Sequence, residues 1–266
     1  MTPKHLVTVT AVITTFCVSV LAVQAQQGPD PRVADLVQSG KIRVALGLGR
    51  PALAMKDPKS GEVRGAALDL GRALAAKIGA KFEQVLYPGP GAVLKGIQNN
   101  EWDVTFLVVA PGLSALADSS LPYMQSDFTY LVPAGSKMHS ASELDQTGIR
   151  IAVPSRHGSD LRLTKMLKHA ELVRVATIAA AIDLVREGKV DAYASTRPAL
   201  MALSRKVPGS QVLKNGFADI SWAAIVPKGN AGRIAYLNDF LKEAKTSGLV
   251  QQTIDGNGLK GIKVTP

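Results

Sequence analysis

Two hydrophobic periods alternate along the chain. Short apolar runs come first, at Lys41-Ile-Arg-Val-Ala-Leu46, Lys81 to Leu86 and Val104 to Val109. The third of these ends at Ala110-Pro111-Gly112 and has the unbroken apolar character of a strand buried on both faces. Between the runs the apolar residues recur every third or fourth position. Leu70, Ala73, Leu74 and Ile78 share one helical face before Gly79, and Val93, Leu94 and Ile97 mark another helix. A short amphipathic helix over 32–39 carries Val33, Leu36 and Val37 and stops at Gly40. Residues 47–65 are rich in Gly, Pro, Lys and Asp, with a hairpin tip at Asp57-Pro-Lys-Ser-Gly61. Strand and helix in strict turn predict a parallel sheet with right-handed crossovers.

The same grammar returns after Phe128-Thr-Tyr-Leu-Val132, an extended half-buried strand that leads into Pro133-Ala-Gly135. Strands are predicted at 149–153, 172–176 and 190–194, and helices at 160–169, 178–187 and 198–206. Ile220 to Val226 reads as a return crossing. Over 233–247 the alignment of Ile234, Leu237, Leu241 and Ala244 predicts a long amphipathic helix that packs back on the first half. The pattern is thus α/β throughout, with two repeating units joined by two crossings.

Composition changes this picture at the N-terminus. Lys4 and His5 precede an uncharged, largely apolar run from Leu6 to Val23, and Val23-Gln24-Ala25 offers the small residues of a cleavage site. Residues 1–25 are expected to be a signal peptide, the alternative being a retained anchor. The single cysteine, Cys17, lies in this run without a lipoprotein signature before it, so cleavage would leave a chain with no disulfide. The formal charge is +10, but the Lys and Arg residues are dispersed and no aromatics interleave with them. No nucleic-acid partner is expected; the charge solvates the surface, or attracts anionic ligands or the membrane surface.

Three constellations invite chemistry. Gly47-Leu-Gly-Arg-Pro-Ala52 fits a dinucleotide fingerprint, but Pro51 and the polar 56–61 stretch interrupt the helix whose N-terminus would hold a pyrophosphate. Ser155, His157, Ser159 and Asp160 look hydrolytic, yet neighbours in sequence rarely supply a strained nucleophile and an oriented base, and Asp160 reads as a helix N-cap. His139, His157 and His169 are too dispersed for a metal set. No metal and no cofactor are expected.

The segment from Asp103 to Tyr123 carries a resemblance. A strand opening with Asp103-Val104, then Pro111, Asp118, Ser120 and Pro122-Tyr123, resembles the family-3 extracellular solute-binding proteins, the periplasmic receptors of amino-acid-type ABC importers. Val190-Asp191-Ala192 and Pro198 match a second motif of that family. The resemblance covers nearly all of residues 40–255. It implies a two-lobe periplasmic-binding-protein fold of type II, with two parallel-type sheets flanked by helices and a two-crossing hinge. Lobe 1 would comprise 26–132 and 227–266, and lobe 2 residues 133–226.

It further implies a site at the strand ends, formed by Arg50, Tyr87, Val109 and Ala110 from lobe 1 and by Arg156, His157, Ser159, Thr196 and Arg197 from lobe 2. Arg156, His157 and Ser159 compete for one role, binding an anion beside a helix N-terminus. Two positions depart from the family. The arginine that grips an α-carboxylate falls on Leu113, and the aspartate that takes an ammonium falls on Thr196. With Arg50 and Arg197 gained, the expected ligand is a small anionic or carboxylate-bearing solute. The implied partner is an ABC permease, the location the periplasm, and the state a monomer without enzymatic activity. Alternatives are a sensor's binding partner and a dehydratase of the cyclohexadienyl type on the same fold, with Glu62 and Asp69 as its candidate acid and base.

Overall fold

The computed structural model describes residues 30–266 apart from 38, 51, 111, 156 and 230. The signal-peptide reading, Cys17 and Arg156 lie outside the described residues. A 3-10 helix over Pro31–Leu36 leads into β1 (Lys41–Gly47), a small hairpin of β2 (Met55–Lys56) and β3 (Val63–Arg64), and α1 (Ala66–Lys77). β4 (Lys81–Tyr87), α2 (Pro90–Lys95) and β5 (Val104–Val108) follow. β1 pairs in parallel with β4 over its whole length and with β5 through Val44↔Val104 and Ala45↔Thr105.

Local chemistry explains these boundaries. Gly65 starts α1 at φ +150, where an added Cβ would stand 2.3 Å from the Leu53 carbonyl oxygen. Only glycine fits there. Asp69 in the first turn of α1 and Lys77 in the last complement the helix dipole. Leu68, Leu70 and Leu74 are buried against the sheet. At the start of β5 the Asp103 carboxylate accepts from the Arg43 backbone N–H and guanidinium, both at 2.7 Å, and pins β5 beside β1. Trp102 is fully buried and donates Nε1–H to the Val93 carbonyl at 2.8 Å.

The chain then turns through a short 3-10 segment, Leu113–Ala115, and β6 (Ala117–Ser119) into β7 (Met124–Val132). β8 (Arg150–Pro154), α3 (Gly158–Met166), β9 (Glu171–Val175), α4 (Ile178–Arg186), β10 (Ala192–Thr196) and α5 (Arg197–Ser204) form the second repeating unit. Its strands are parallel, β8 pairing with both β9 and β10. β11 (Gln211–Val212) and β12 (Ala218–Pro227) follow. α6 (Ala231–Thr246), α7 (Leu249–Gly256) and β13 (Lys263–Val264) end the chain.

The two parallel groups are joined into one sheet. β12 runs antiparallel to both β5 and β7, and β7 runs antiparallel to β10, giving the order β4-β1-β5-β12-β7-β10-β8-β9. The core divides accordingly. One large cluster covers the β1/β4/β5 group and takes in Leu237, Phe240 and Leu241 of α6 with Val250 and Ile254 of α7. Two smaller clusters lie around the β8/β9/β10 group, one with Leu131, Ala152 and Val185, the other with Tyr130, Ile151 and Leu163. The chain's end thus packs on the core formed by its first half. β6, β11, α7 and β13 were not foreseen, β7 begins four residues before the expected Phe128, and β10 begins two residues later than expected.

Candidate functional site

The ends of the parallel strands bring several predicted residues to one place. After β1, Leu48 donates to the Tyr87 carbonyl at 2.9 Å, and Gly49 and Arg50 both donate backbone N–H to the Ala54 carbonyl. This tight loop, with Gly49 at φ +99, presents the Arg50 side chain to solvent without an ion pair among the described residues. After β5, Val109 donates to the Ser221 carbonyl at 2.9 Å and its side chain is 39% exposed, with Ala110 exposed beside it. A dinucleotide helix is absent: bridges from Leu48 and Arg50 to Ala54 occupy that stretch.

From the second unit, the turn after β8 delivers His157 and the start of α3. The N-cap of α3 is His157, not Asp160 as the sequence suggested. Its Nδ1 accepts from the Ser159 backbone N–H at 3.3 Å and lies 2.9 Å from the Ser159 hydroxyl. Asp160 sits three residues beyond the cap, where its carboxylate accepts from Arg174 Nε at 3.0 Å and Thr164 Oγ1 at 3.2 Å. Ser159 is fully buried.

Phe128 of β7 is the common wall. Its ring meets the His157 ring edge to face at 5.7 Å, stacks with Phe217 at 6.0 Å and lies under the Arg162 guanidinium at 4.7 Å. Thr196 lies opposite Phe128 in the β10/β7 register and is half-buried, with no side-chain capping bond to α5. Phe128 and Arg162 were read in the sequence only as a strand start and a helix residue. The available signal was spacing: Gly158 and Arg162 are one helical turn apart on the same face of α3, over the hinge.

Two predicted residues go elsewhere. Tyr87 donates its hydroxyl to Glu101 at 2.5 Å and packs over Gly96, whose added Cβ would meet that oxygen at 2.5 Å. Arg197 forms a two-pronged pair with Asp127, Nε to Oδ1 and Nη2 to Oδ2 both at 2.5 Å, and donates to the carbonyls of Leu213 (2.9 Å) and Lys214 (2.7 Å). The guanidinium expected at the ligand therefore ties α5 to the hinge. Leu113 is buried in the first core, 5% exposed. The candidate acid and base of the dehydratase reading are also engaged, Glu62 with Arg64 on the hairpin and Asp69 with Asn257.

Electrostatically the cluster is positive. Burial lowers the pKa of His157, the charges of Arg50 and Arg162 lower it further, and Asp160 opposes them. A histidine whose folded pKa is depressed contributes stability that is fully present above its unfolded value of about 6.5 and is lost as pH falls through it. Chemical denaturation at pH 7.5 and 5 is therefore expected to show a steeper acid loss for the wild type than for His157→Gln. Equal slopes would mean that His157 titrates as it does in the unfolded chain.

The family model for bacterial extracellular solute-binding proteins, family 3, matches residues 42–256. The chain belongs to that family. This solute-binding protein is 26% identical over 259 residues to a probable amino-acid ABC transporter periplasmic-binding protein of Sinorhizobium fredii, covering 90% of this chain and 83% of the relative. It is 22% identical to the glutamine-binding protein of an ABC transporter of Bacillus subtilis, covering 90% of this chain and 92% of that one. Among solved structures it is similar to a putative ABC-transporter binding component from Wolinella succinogenes complexed with lysine. That match has a TM-score of 0.66 and 22% identity, covering 82% of this chain and 96% of the other. The architecture of this family-3 protein is the type II periplasmic-binding-protein fold, with its two parallel groups joined through β7 and β12.

Proposed function

We propose that this family-3 protein is the receptor of an amino-acid-type ABC importer, and that it captures a small anionic solute and hands it to the membrane permease. In this reading it works in the periplasm as a monomer and binds without turnover. Residues 26–132 with 227–266 form one lobe and 133–226 the other, and closure about β7 and β12 buries the solute at the strand ends. The observation that carries the reading is the Arg162 guanidinium 4.7 Å over Phe128, whose ring also meets His157; the charges of Arg50 and Arg162 both depress the His157 pKa, and Asp160 is held by Arg174. On the resemblance, the family's two anchors for an α-amino acid fall on Leu113, which is buried, and on Thr196. A charge-assisted hydrogen bond contributes about 1.5–3 kcal/mol, so the loss of both anchors weakens a zwitterion by several powers of ten.

Calorimetry of the mature protein against amino acids, monocarboxylates and dicarboxylates tests this. Arg50→Ala is expected to weaken the anionic ligand about ten- to a hundredfold, with Arg50→Lys recovering only part because a point charge lacks the guanidinium fork. Tight binding of an ordinary α-amino acid by the wild type would overturn the anion reading. Turnover of a bound acid would overturn the receptor reading.

A further inference from the structure

Several arginines are neutralised by a carboxylate close at hand. Arg32 pairs with Asp30 and Asp239, Arg43 with Asp103, Arg174 with Asp160 and Arg197 with Asp127. Arg162 differs. It is half-buried, and its contacts are the face of Phe128 at 4.7 Å and a long 3.4 Å donation from Nη1 to the Gly158 carbonyl. No carboxylate lies within ion-pair distance of it among the described residues.

A cation withdrawn from water without an anion is costly, and stacking on an aromatic ring offsets only part of that cost. The guanidinium has five N–H donors and one of them reaches the Gly158 carbonyl, so it retains donors for a planar oxyanion. The surroundings make room for this arrangement. A Cβ on Gly158 would stand 2.8 Å from Phe128 Cζ and 3.3 Å from Arg162 Nη1. Gly158 is the first residue of α3, and its lack of a side chain leaves the space that the Arg162–Phe128 contact occupies. Arg162 therefore lies against Phe128 with no carboxylate partner among the described residues.

We propose that Arg162 is the specificity-determining cation of the second lobe, and that with Arg50 it selects a small solute with two oxyanionic groups, of the dicarboxylate class. The inference rests on the reading of the strand-end cluster as the ligand site. Arg50 follows β1 and Arg162 belongs to α3, so in the two-lobe reading each lobe supplies one of the two cations. Two like charges brought together by closure repel, and a monoanion neutralises only one of them. A dianion bridges both, so each carboxylate would gain its own fork and lobe closure would be coupled to the second charge.

The experiment is calorimetry with succinate and glutarate, the matched monoanion butyrate, inorganic phosphate and an α-amino acid panel. The wild type is expected to bind one of the dicarboxylates at least about tenfold more tightly than butyrate. Arg162→Gln should lose about ten- to a hundredfold for that dicarboxylate and less than about threefold for butyrate. Arg162→Lys should recover part of the loss. Gly158→Ala, which keeps every charge, should weaken the dicarboxylate by displacing the stack. Thermal melting of each variant separates a binding loss from unfolding, and the lysine and alanine variants decide the matter where glutamine fails to fold.

Wild-type dicarboxylate affinity in Arg162→Gln, with Arg50→Ala still impaired, overturns the role of Arg162 and leaves the anion receptor standing. A preference for butyrate or phosphate over both dicarboxylates, or no dicarboxylate binding, overturns the two-charge selection. Tight amino-acid binding that is indifferent to Arg50 overturns the receptor reading beneath it.

Discussion

Asp103→Ala is expected to lower the stability of the protein by about 3–5 kcal/mol, the range found when one partner of a buried ion pair is removed. Asp103 is 2% exposed and Arg43 19%, so water reaches the guanidinium only at its edge. The carboxylate accepts the Arg43 backbone N–H as well as Nη2, both at 2.7 Å, and Arg43 in turn donates Nη1 to the Asn100 carbonyl at 2.7 Å. Deleting it orphans a ladder N–H at the β1/β5 seam together with a cation. Asp103→Asn keeps one acceptor and is expected to cost less, about 1–3 kcal/mol. Urea denaturation reads both through the midpoint at unchanged slope. A midpoint for the alanine variant within about 1 kcal/mol of wild type would mean that the pair is already solvated.

Arg197→Ala is expected to cost about 2–3 kcal/mol, less than a fully buried pair because Arg197 and Asp127 remain 19% and 18% exposed. Asp127 lies opposite Asp219 in the β7/β12 register. Without the guanidinium two carboxylates face each other across the hinge, a destabilising arrangement in any antiparallel pair. Adding Asp127→Asn to Arg197→Ala should therefore restore part of the loss, and a double-mutant cycle measures the coupling. The outcome also separates two roles for this arginine. A variant that melts like the wild type yet loses its ligand would return Arg197 to the binding site.

Elements with a clean period were legible in the sequence, and those held by distant partners were not. Ile42 to Leu46 and Val104 to Val108 alternate with the helix over 66–77, and no tertiary information was needed to read them. The first half of β7 was missed because Gln125, Ser126 and Asp127 look like loop. Ser126 donates to the Gly261 carbonyl at 2.7 Å and Asp127 holds Arg197, partners 135 and 70 residues away. β6 and β13 are two or three residues long and exist only as additions to β12 and β7. The site shows the same division. The loop after β1 and the start of α3 were legible from order and spacing, and Arg50, His157 and Ser159 lie on them. Its place beside Thr196 in the second family motif, together with its charge, assigned Arg197 to the ligand, since a sequence shows a cation but not the Asp127 that occupies it. Arg162 was passed over for the converse reason, because a helical arginine looks solvated until Phe128 is seen beneath it.

The place of β12 in the sheet has a consequence for how the chain acquires its fold. β12 separates β5 from β7, yet Ala218–Pro227 leaves the ribosome some hundred residues after Val104–Val108. Until then β5 has one unpaired edge, made of some of the most apolar residues in the chain, and such an edge is a template for association with other chains. The β8/β9/β10 unit lies wholly within the intervening stretch and closes largely on nearby contacts, so it can form first. The β1/β4/β5 unit must wait for α6, α7 and β13 as well. Pairings this distant are slow to find. Refolding from denaturant is accordingly expected to proceed in two phases, with the Trp222 environment maturing in the slower one and aggregation confined to the interval between them.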